Sequence, residues 1–117
     1  MSRLAGPAVS IVACLMAGQA LAAQTIPPAA ARGHVGQRVT VQGRVQEAYH
    51  QGGSGATVMK MDGENGFVAI FYTDSDGLYP DPDDLEGHTV SVTGEIQIDR
   101  GQPEMILTSP GQIKIDR

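Results

Sequence analysis

Hydrophobic and polar residues alternate with a period of two along two long segments of the chain. In the first segment, residues 36–46, Val39, Val41 and Val45 fall on one face together with Gly43, and polar side chains fall on the other. This alternation predicts a β-strand with one buried face and one solvated face. A glycine on the buried face is typical of a strand that bends or carries a bulge.

The second segment repeats the pattern over residues 87–97, where Val90, Val92, Gly94 and Ile96 take the equivalent positions. We expect the two segments to be the first and fourth strands of one sheet that curls around a shared apolar interior. A tandem repeat is disfavoured, because the sequences that follow the two segments differ.

Shorter strands are predicted between and after these two. Residues 56–62 and 66–73 flank the turn signal Gly-Glu-Asn-Gly and form a hairpin. Residues 104–108 and 112–115 form a closing strand that is broken by Ser-Pro-Gly. The order of elements predicts an all-β fold, a five-stranded Greek-key barrel of the OB type.

Helical structure is expected only in short turns. Pro27 and Pro28 favour the first turn of a short N-terminal helix, which residues 29–32 complete and Gly33 ends. The acidic segment 74–86 contains two prolines that exclude a regular helix, although residues 82–85 can form a single turn.

The N-terminal region has the pattern of a secretory signal peptide. Arg3 precedes an apolar run over residues 8–16, and Ala-Leu-Ala ends at Ala22. The run is too short to span a bilayer, which takes roughly 20 apolar residues. We therefore divide the chain into a signal peptide, 1–23, and one domain, 24–117, that is periplasmic or secreted and has no transmembrane segment after cleavage.

A lipoprotein is the alternative, because residues 11–14 (Ile-Val-Ala-Cys) resemble a bacterial lipobox ending at Cys14. The apolar run before Cys14 is short, and a better cleavage site lies downstream, so this alternative is disfavoured. Cys14 is the single cysteine. Cleavage after residue 22 or 23 removes it, and with it any disulfide or cysteine-based site.

The charge of the chain is unfavourable for phosphate binding, and its motifs indicate no catalytic or metal site. The net charge of −5 becomes −6 without Arg3, and so many acidic residues are unfavourable for phosphate binding. The acidic segment 74–86 does not complete a calcium loop, and the three histidines are scattered. No hydrolase, zinc-protease or P-loop motif is present. We expect no enzyme activity, no metal and no cofactor.

Four motifs together resemble a known group of domains. They are G-x-x-V-x-V-x-G-x-V at 36–45, its echo at 87–96, R-G-Q-P-E-M-I at 100–106 and S-P-G-Q-I at 109–113. The chain resembles the small bacterial OB-fold domains of the nucleic-acid-binding, tRNA-anticodon-like type. More loosely, it is similar to the exported bacterial OB-fold (BOF) proteins. The first resemblance implies binding of single-stranded nucleic acid or an oligonucleotide.

In such domains the ligand lies on the second and third strands and on the loops after the first and fourth. On this surface basic groups would contact an anion and tyrosines would stack on bases, and Asp99 lies beside them. The predicted ligand-binding residues are Arg44, Tyr49, His50, Lys60, Tyr72 and Arg100. The alternatives are an envelope protein that binds a protein partner or a small cationic ligand, and a nuclease accessory domain.

Overall fold

The computed structural model of the chain describes residues 23–53, 55–62, 66–72 and 79–116. Residues 1–22 of the predicted signal peptide, which include the lipobox at Cys14, and residues 74–78 of the acidic segment 74–86 lie outside the described residues. Within them, no helix combines the length and the apolar character that a membrane span requires.

The described chain forms one mainly β structure with short helical turns. A 3-10 helix spans Pro28–His34, α1 spans Pro82–Leu85 and a second 3-10 helix spans Pro110–Gln112. The strands are β1 (Thr25–Ile26), β2 (Arg38–Gln51), β3 (Ala56–Met61), β4 (Phe67–Tyr72), β5 (Thr89–Glu95), β6 (Gln97–Asp99), β7 (Gln102–Leu107) and β8 (Ile113–Asp116).

The all-β class and the short N-terminal helical turn are confirmed, but the described residues form a sheet of eight strands where five were predicted. The predicted fourth strand is divided at Ile96 into β5 and β6. The closing strand is divided into β7 and β8 by the helical turn that Pro110 begins. The two-residue β1 was not predicted, since two residues carry no measurable alternation.

The strand order in the sheet is β6-β7-β4-β3-β2-β5-β8, and β1 pairs with β2 in parallel. β4 and β7 are also parallel, and the remaining pairs are antiparallel. The first half of β2 pairs with β5 and its second half with β3. The register shifts by one residue between Val45 and Glu47, so Gln46 is the extra residue of a β-bulge.

The predicted buried face lines the core. Val41, Val45, Val90 and Val92 are fully buried. They pack with larger side chains from the other strands and with Ile96, which lies between β5 and β6. The side chains from the strands are chiefly Met59, Met61, Phe67, Phe71, Met105 and Leu107. Period-two alternation therefore identified the core side of both long strands correctly.

The two mid-strand glycines allow close approach of other groups. A Cβ atom at Gly43 would lie 2.7 Å from Cδ of Pro28, in the N-terminal 3-10 helix. A Cβ atom at Gly94 would lie 3.0 Å from both Cγ and Sδ of Met105 on β7. The space that a side chain would take at each glycine is thus occupied by a proline ring or a methionine, and these residues pack directly against the sheet.

The substitution Gly43→Ala is expected to lower the free energy of unfolding by about 1–3 kcal/mol, because the new methyl group overpacks the site that Pro28 occupies. Denaturant unfolding of wild type and variant measures the difference. Gly33→Ala is the control, since no atom lies within 4 Å of a Cβ at Gly33. Equal stability losses in both variants would contradict the role given to Pro28.

Candidate functional site

An apolar row crosses the outer face of four neighbouring strands. The register places Tyr49 of β2 opposite Val58, Val58 opposite Ile70, and Ile70 opposite Ile106. Successive side chains of a strand point to opposite faces. The sequence neighbours of these residues, such as Met59, Ala69 and Met105, are fully buried in the core. The row therefore faces outward, and we call it the outer row: Tyr49, Val58, Ile70 and Ile106.

Two exposed tyrosines lie on this face. Tyr49 is 37% exposed at one end of the outer row. Tyr72, which is 56% exposed, follows Ile70 by two residues on β4 and lies opposite Ala56. Ala56 is only 2% exposed although it shares the outward face. The two rings thus border an apolar surface, and part of this surface, including Ala56, is not accessible to solvent.

Lys60 adds a positive charge beside the outer row. It lies opposite Glu47 on β2, and its Nζ is 3.8 Å from Oε1 of Glu47 and 5.8 Å from the ring centroid of Tyr49. Both members of the ion pair are about half exposed. Exposed pairs of this kind contribute at most about 1 kcal/mol, so Lys60 can exchange its partner for a ligand at little cost.

The same face carries an acidic group on β7. Glu104 is the cross-strand neighbour of Val68, which in turn lies opposite Lys60. Burial raises the pKa of the Glu104 carboxyl above its ordinary value, and the nearby charge of Asp99 raises it further. The outer face is therefore basic on β3 and acidic along β7.

Three of the six predicted site residues share this face: Tyr49, Lys60 and Tyr72. His50 alternates to the opposite side of β2, where it lies across from Thr57. Its Nδ1 is 2.9 Å from Oγ1 of Thr57, whose side chain is fully buried. His50 thus provides a hydrogen-bond partner for a buried hydroxyl, and the structure does not bring it to the tyrosines.

The two predicted arginines lie elsewhere. Arg44 precedes the bulge, lies opposite Thr89 of β5 and directs its guanidinium towards Gly87. Arg100 is exposed in the turn between β6 and β7, where its φ of 53° places it in the left-handed region. The adjacent carbonyl of Gly101 accepts a hydrogen bond of 2.9 Å from Nη1 of Arg32. Both arginines are therefore outside the surface that the tyrosines border.

The sequence missed the apolar part of the outer face, which Val58, Ile70 and Ile106 provide. Residues 56–59 of β3 are Ala-Thr-Val-Met, and all four are buried. A run without alternation does not reveal which side chains face outward. Only the pairing with β2 and β4 decides this.

No group of three or more histidine, aspartate or glutamate side chains in residues 23–53, 55–62, 66–72 and 79–116 is arranged to hold a metal ion. Asp74 and Asp76, which come nearest to the sequence pattern of a calcium loop, lie outside these ranges.

Comparison with known proteins gives a likeness in fold. No protein-family model matches the chain, and no curated protein matches it. Among solved structures, it is similar to a crystal structure assigned to an aspartyl-tRNA synthetase from Leishmania major Friedlin, with a TM-score of 0.55 and 15% sequence identity. The match covers 80% of this chain and 20% of that one. The likeness supports an OB-like fold.

Glu104→Gln is expected to raise the unfolding temperature at pH 7 and to leave it almost unchanged near pH 3.5. The raised pKa of Glu104 means that the folded state binds its proton more tightly than the unfolded state. Stability therefore falls as pH rises from the ordinary value of 4.5 through the folded pKa, and the penalty is complete above it. Glutamine removes this penalty.

Thermal unfolding of both proteins across this pH range measures the effect. Glu95→Gln, an exposed position on β5, controls for the loss of one negative charge from an acidic protein. A lower unfolding temperature for Glu104→Gln at pH 7 would show that the ionised carboxylate stabilises the fold.

Proposed function

We propose that the chain is a non-catalytic OB-type binding protein of the cell envelope, whose ligand is a single-stranded nucleic acid or oligonucleotide. The ligand would lie across the outer row, with bases stacked on Tyr49 and Tyr72 and a phosphate near Lys60. The observation that carries this proposal is the pair of exposed tyrosine rings on one outward sheet face. Stacking on such rings is how OB-type domains hold single strands.

The OB-type Greek-key barrel is part of the proposal, and strand pairing supports it. β5 and β6 are separated only by Ile96, yet β5 pairs with β2 and β6 pairs with β7. One short stretch of chain thus connects strands from opposite parts of the sheet order. The parallel pair of β4 and β7 and the short helix before β5 also agree with this architecture.

The charge of the outer face sets conditions on the ligand. Lys60 is already shared between Glu47 and Tyr49, and the chain as a whole is acidic. Few counterions would be displaced, so we expect stacking to supply more of the affinity than phosphate contacts do.

A protein partner or a small cationic ligand is the second candidate, and Glu104 favours it. A carboxyl whose pKa is raised by burial and by Asp99 gains from a positive group that would hold it ionised. The apolar outer row would then pack against the apolar part of such a partner.

Tyr72→Ala is expected to weaken binding of a short oligothymidylate about 5- to 150-fold, since base stacking contributes about 1–3 kcal/mol. Fluorescence anisotropy at low salt measures the affinity. Tyr72→Phe is the matched control, because it retains the ring, and Lys60→Ala should reduce the salt dependence. Absence of binding at low salt, or equal affinities for Tyr72→Ala and wild type, would refute the nucleic-acid proposal.

Envelope location is tested by expressing the full chain in a bacterium. If residues 1–23 act as a signal peptide, the periplasmic fraction contains a protein that begins at Ala23 or Gln24. Intact mass spectrometry gives the N-terminus. Recovery of the uncleaved chain in the cytoplasm, or of a lipid-modified chain that begins at Cys14, would replace this proposal.

A further inference from the structure

β8 lies at one end of the sheet and is paired on one edge only. In the strand order it follows β5, with which it pairs antiparallel from Thr89↔Asp116 to Val92↔Ile113. Among the strands that residues 23–53, 55–62, 66–72 and 79–116 form, none pairs with its other edge, which we call the free edge. Such an edge presents backbone groups to which a further strand can add.

A hydrogen bond beside β8 shows which backbone groups of β5 face this strand. The carbonyl of Thr93 accepts a hydrogen bond of 2.8 Å from Nε2 of Gln112, which directly precedes β8. The backbone of Thr93 therefore faces β8. The backbone groups of successive residues point alternately to the two edges of an antiparallel strand, so those of Ser91 and Thr89 face β8 as well.

The same alternation identifies the backbone groups at the free edge. Ser91 and Thr89 lie opposite Lys114 and Asp116, so the backbone groups of these two β8 residues are bonded to β5. Those of Ile113 and Ile115 point to the free edge. The N–H of Ile113 donates to the carbonyl of Pro110. The N–H and C=O of Ile115 are therefore the pair that an added strand can bind.

The side chains of β8 alternate between the core and solvent. Ile113 is buried, and Ile115 is half-buried against the core. Lys114 and Asp116 are exposed on the opposite face and carry opposite charges. Oδ2 of Asp116 accepts a hydrogen bond of 2.8 Å from Nε2 of Gln42 on β2, which orients the carboxylate. Within the described part of the chain, neither charge takes part in an ion pair.

The free edge is complementary to a second copy of itself. In an antiparallel β8–β8 pair centred on Ile115, this residue lies opposite Ile115 of the second copy, and the two exchange N–H···O=C bonds in both directions. Lys114 of each copy then lies opposite Asp116 of the other. Residues at this position do not exchange backbone bonds, so their side chains lie close together and can form an ion pair.

Other antiparallel registers of this edge are less favourable. A pair centred on Lys114 or on Asp116 places like charges directly opposite each other and requires backbone groups that are already bonded to β5. A pair centred on Ile113 requires the N–H that donates to Pro110. Charge and hydrogen bonding therefore favour the same register, the one centred on Ile115.

We propose that a second copy of this chain adds to the free edge of β8 and forms a two-fold symmetric dimer with one continuous sheet. The same surface of both copies forms such an interface. The pairing is short, so we expect the small interface, below about 1,200 Å², of a weak and reversible dimer. The outer row lies on β2, β3, β4 and β7, so this proposal does not depend on nucleic-acid binding.

The test is sedimentation equilibrium of the full chain from about 10 μM to about 1 mM, a range that covers weak association. We expect an equilibrium between monomer and dimer for wild type. Lys114→Glu and Asp116→Lys should each weaken dimerisation at least about tenfold, because either change places like charges opposite each other at two positions of the dimer.

A mixture of the two variants separates this pairing from non-specific association. The exposed face of β8 carries two negative side chains in Lys114→Glu and two positive ones in Asp116→Lys. An equimolar mixture should therefore dimerise although each variant alone does not, since both opposite-charge pairs are restored. Arg38→Glu and Asp81→Lys are the matched controls, because both residues are exposed and neither lies on β5 or β8.

Amide hydrogen exchange of wild type locates the interface. As the protein concentration rises, the exchange of the Ile115 amide should slow, because this N–H becomes bonded only in the dimer. The amides of Lys114 and Asp116 are already bonded to β5 and should change little.

Three results would each overturn the proposal: a monomer over the whole concentration range, a dimer that Lys114→Glu leaves intact, or no association in the mixture of variants. An intact dimer of Lys114→Glu would show that two copies meet at a different surface.

Discussion

The β-bulge of β2 is the constraint on which the rest of the structure depends. This single strand pairs with β5 through its first half and with β3 through its second half, so it joins the two parts of the sheet. Gly43 lets Pro28 pack directly against the backbone of the strand. The extra residue Gln46 then shifts the register. Without that shift, the odd-numbered residues would face the core along the whole length of the strand.

The bulge also decides which side chains of β2 reach solvent. Before it, odd-numbered residues such as Val41 and Val45 face the core. After it, Ala48 is buried and Tyr49 is exposed. One inserted residue therefore places Tyr49 on the outer face and His50 beside the buried hydroxyl of Thr57. Arg44, which pairs beside β5, and Tyr49, which pairs beside β3, are therefore on opposite sides of the same irregularity.

An OB-like fold by itself leaves the ligand open, because the same architecture hosts unrelated functions. The surface carries the functional argument. Two tyrosines border an apolar outer row, with one lysine on β3 and one carboxyl of raised pKa on β7. Such a face is suited to flat, apolar groups with a modest charge. A polyanion would have to rely on stacking, since the basic group on β3, Lys60, already has Glu47 as a neighbour.

The sequence by itself determined the all-β class and the core side of the two long strands. It could do so because an alternation with a period of two indicates on which face of the strand each residue lies relative to its neighbours. The helical turn at Pro82–Leu85 was likewise predictable, since proline at the first position and acidic residues after it are local signals.

Only the tertiary structure decided the remainder. The division of β5 from β6, the outward position of Val58 and the separation of Arg44 from Lys60 all depend on which strands pair and in which register. His50 was placed with Tyr49 from the sequence, although the two adjacent residues point to opposite sides of β2. Pairing, bulges and unpaired edges join residues that are far apart in the chain, and no local pattern of hydrophobic and polar positions encodes them.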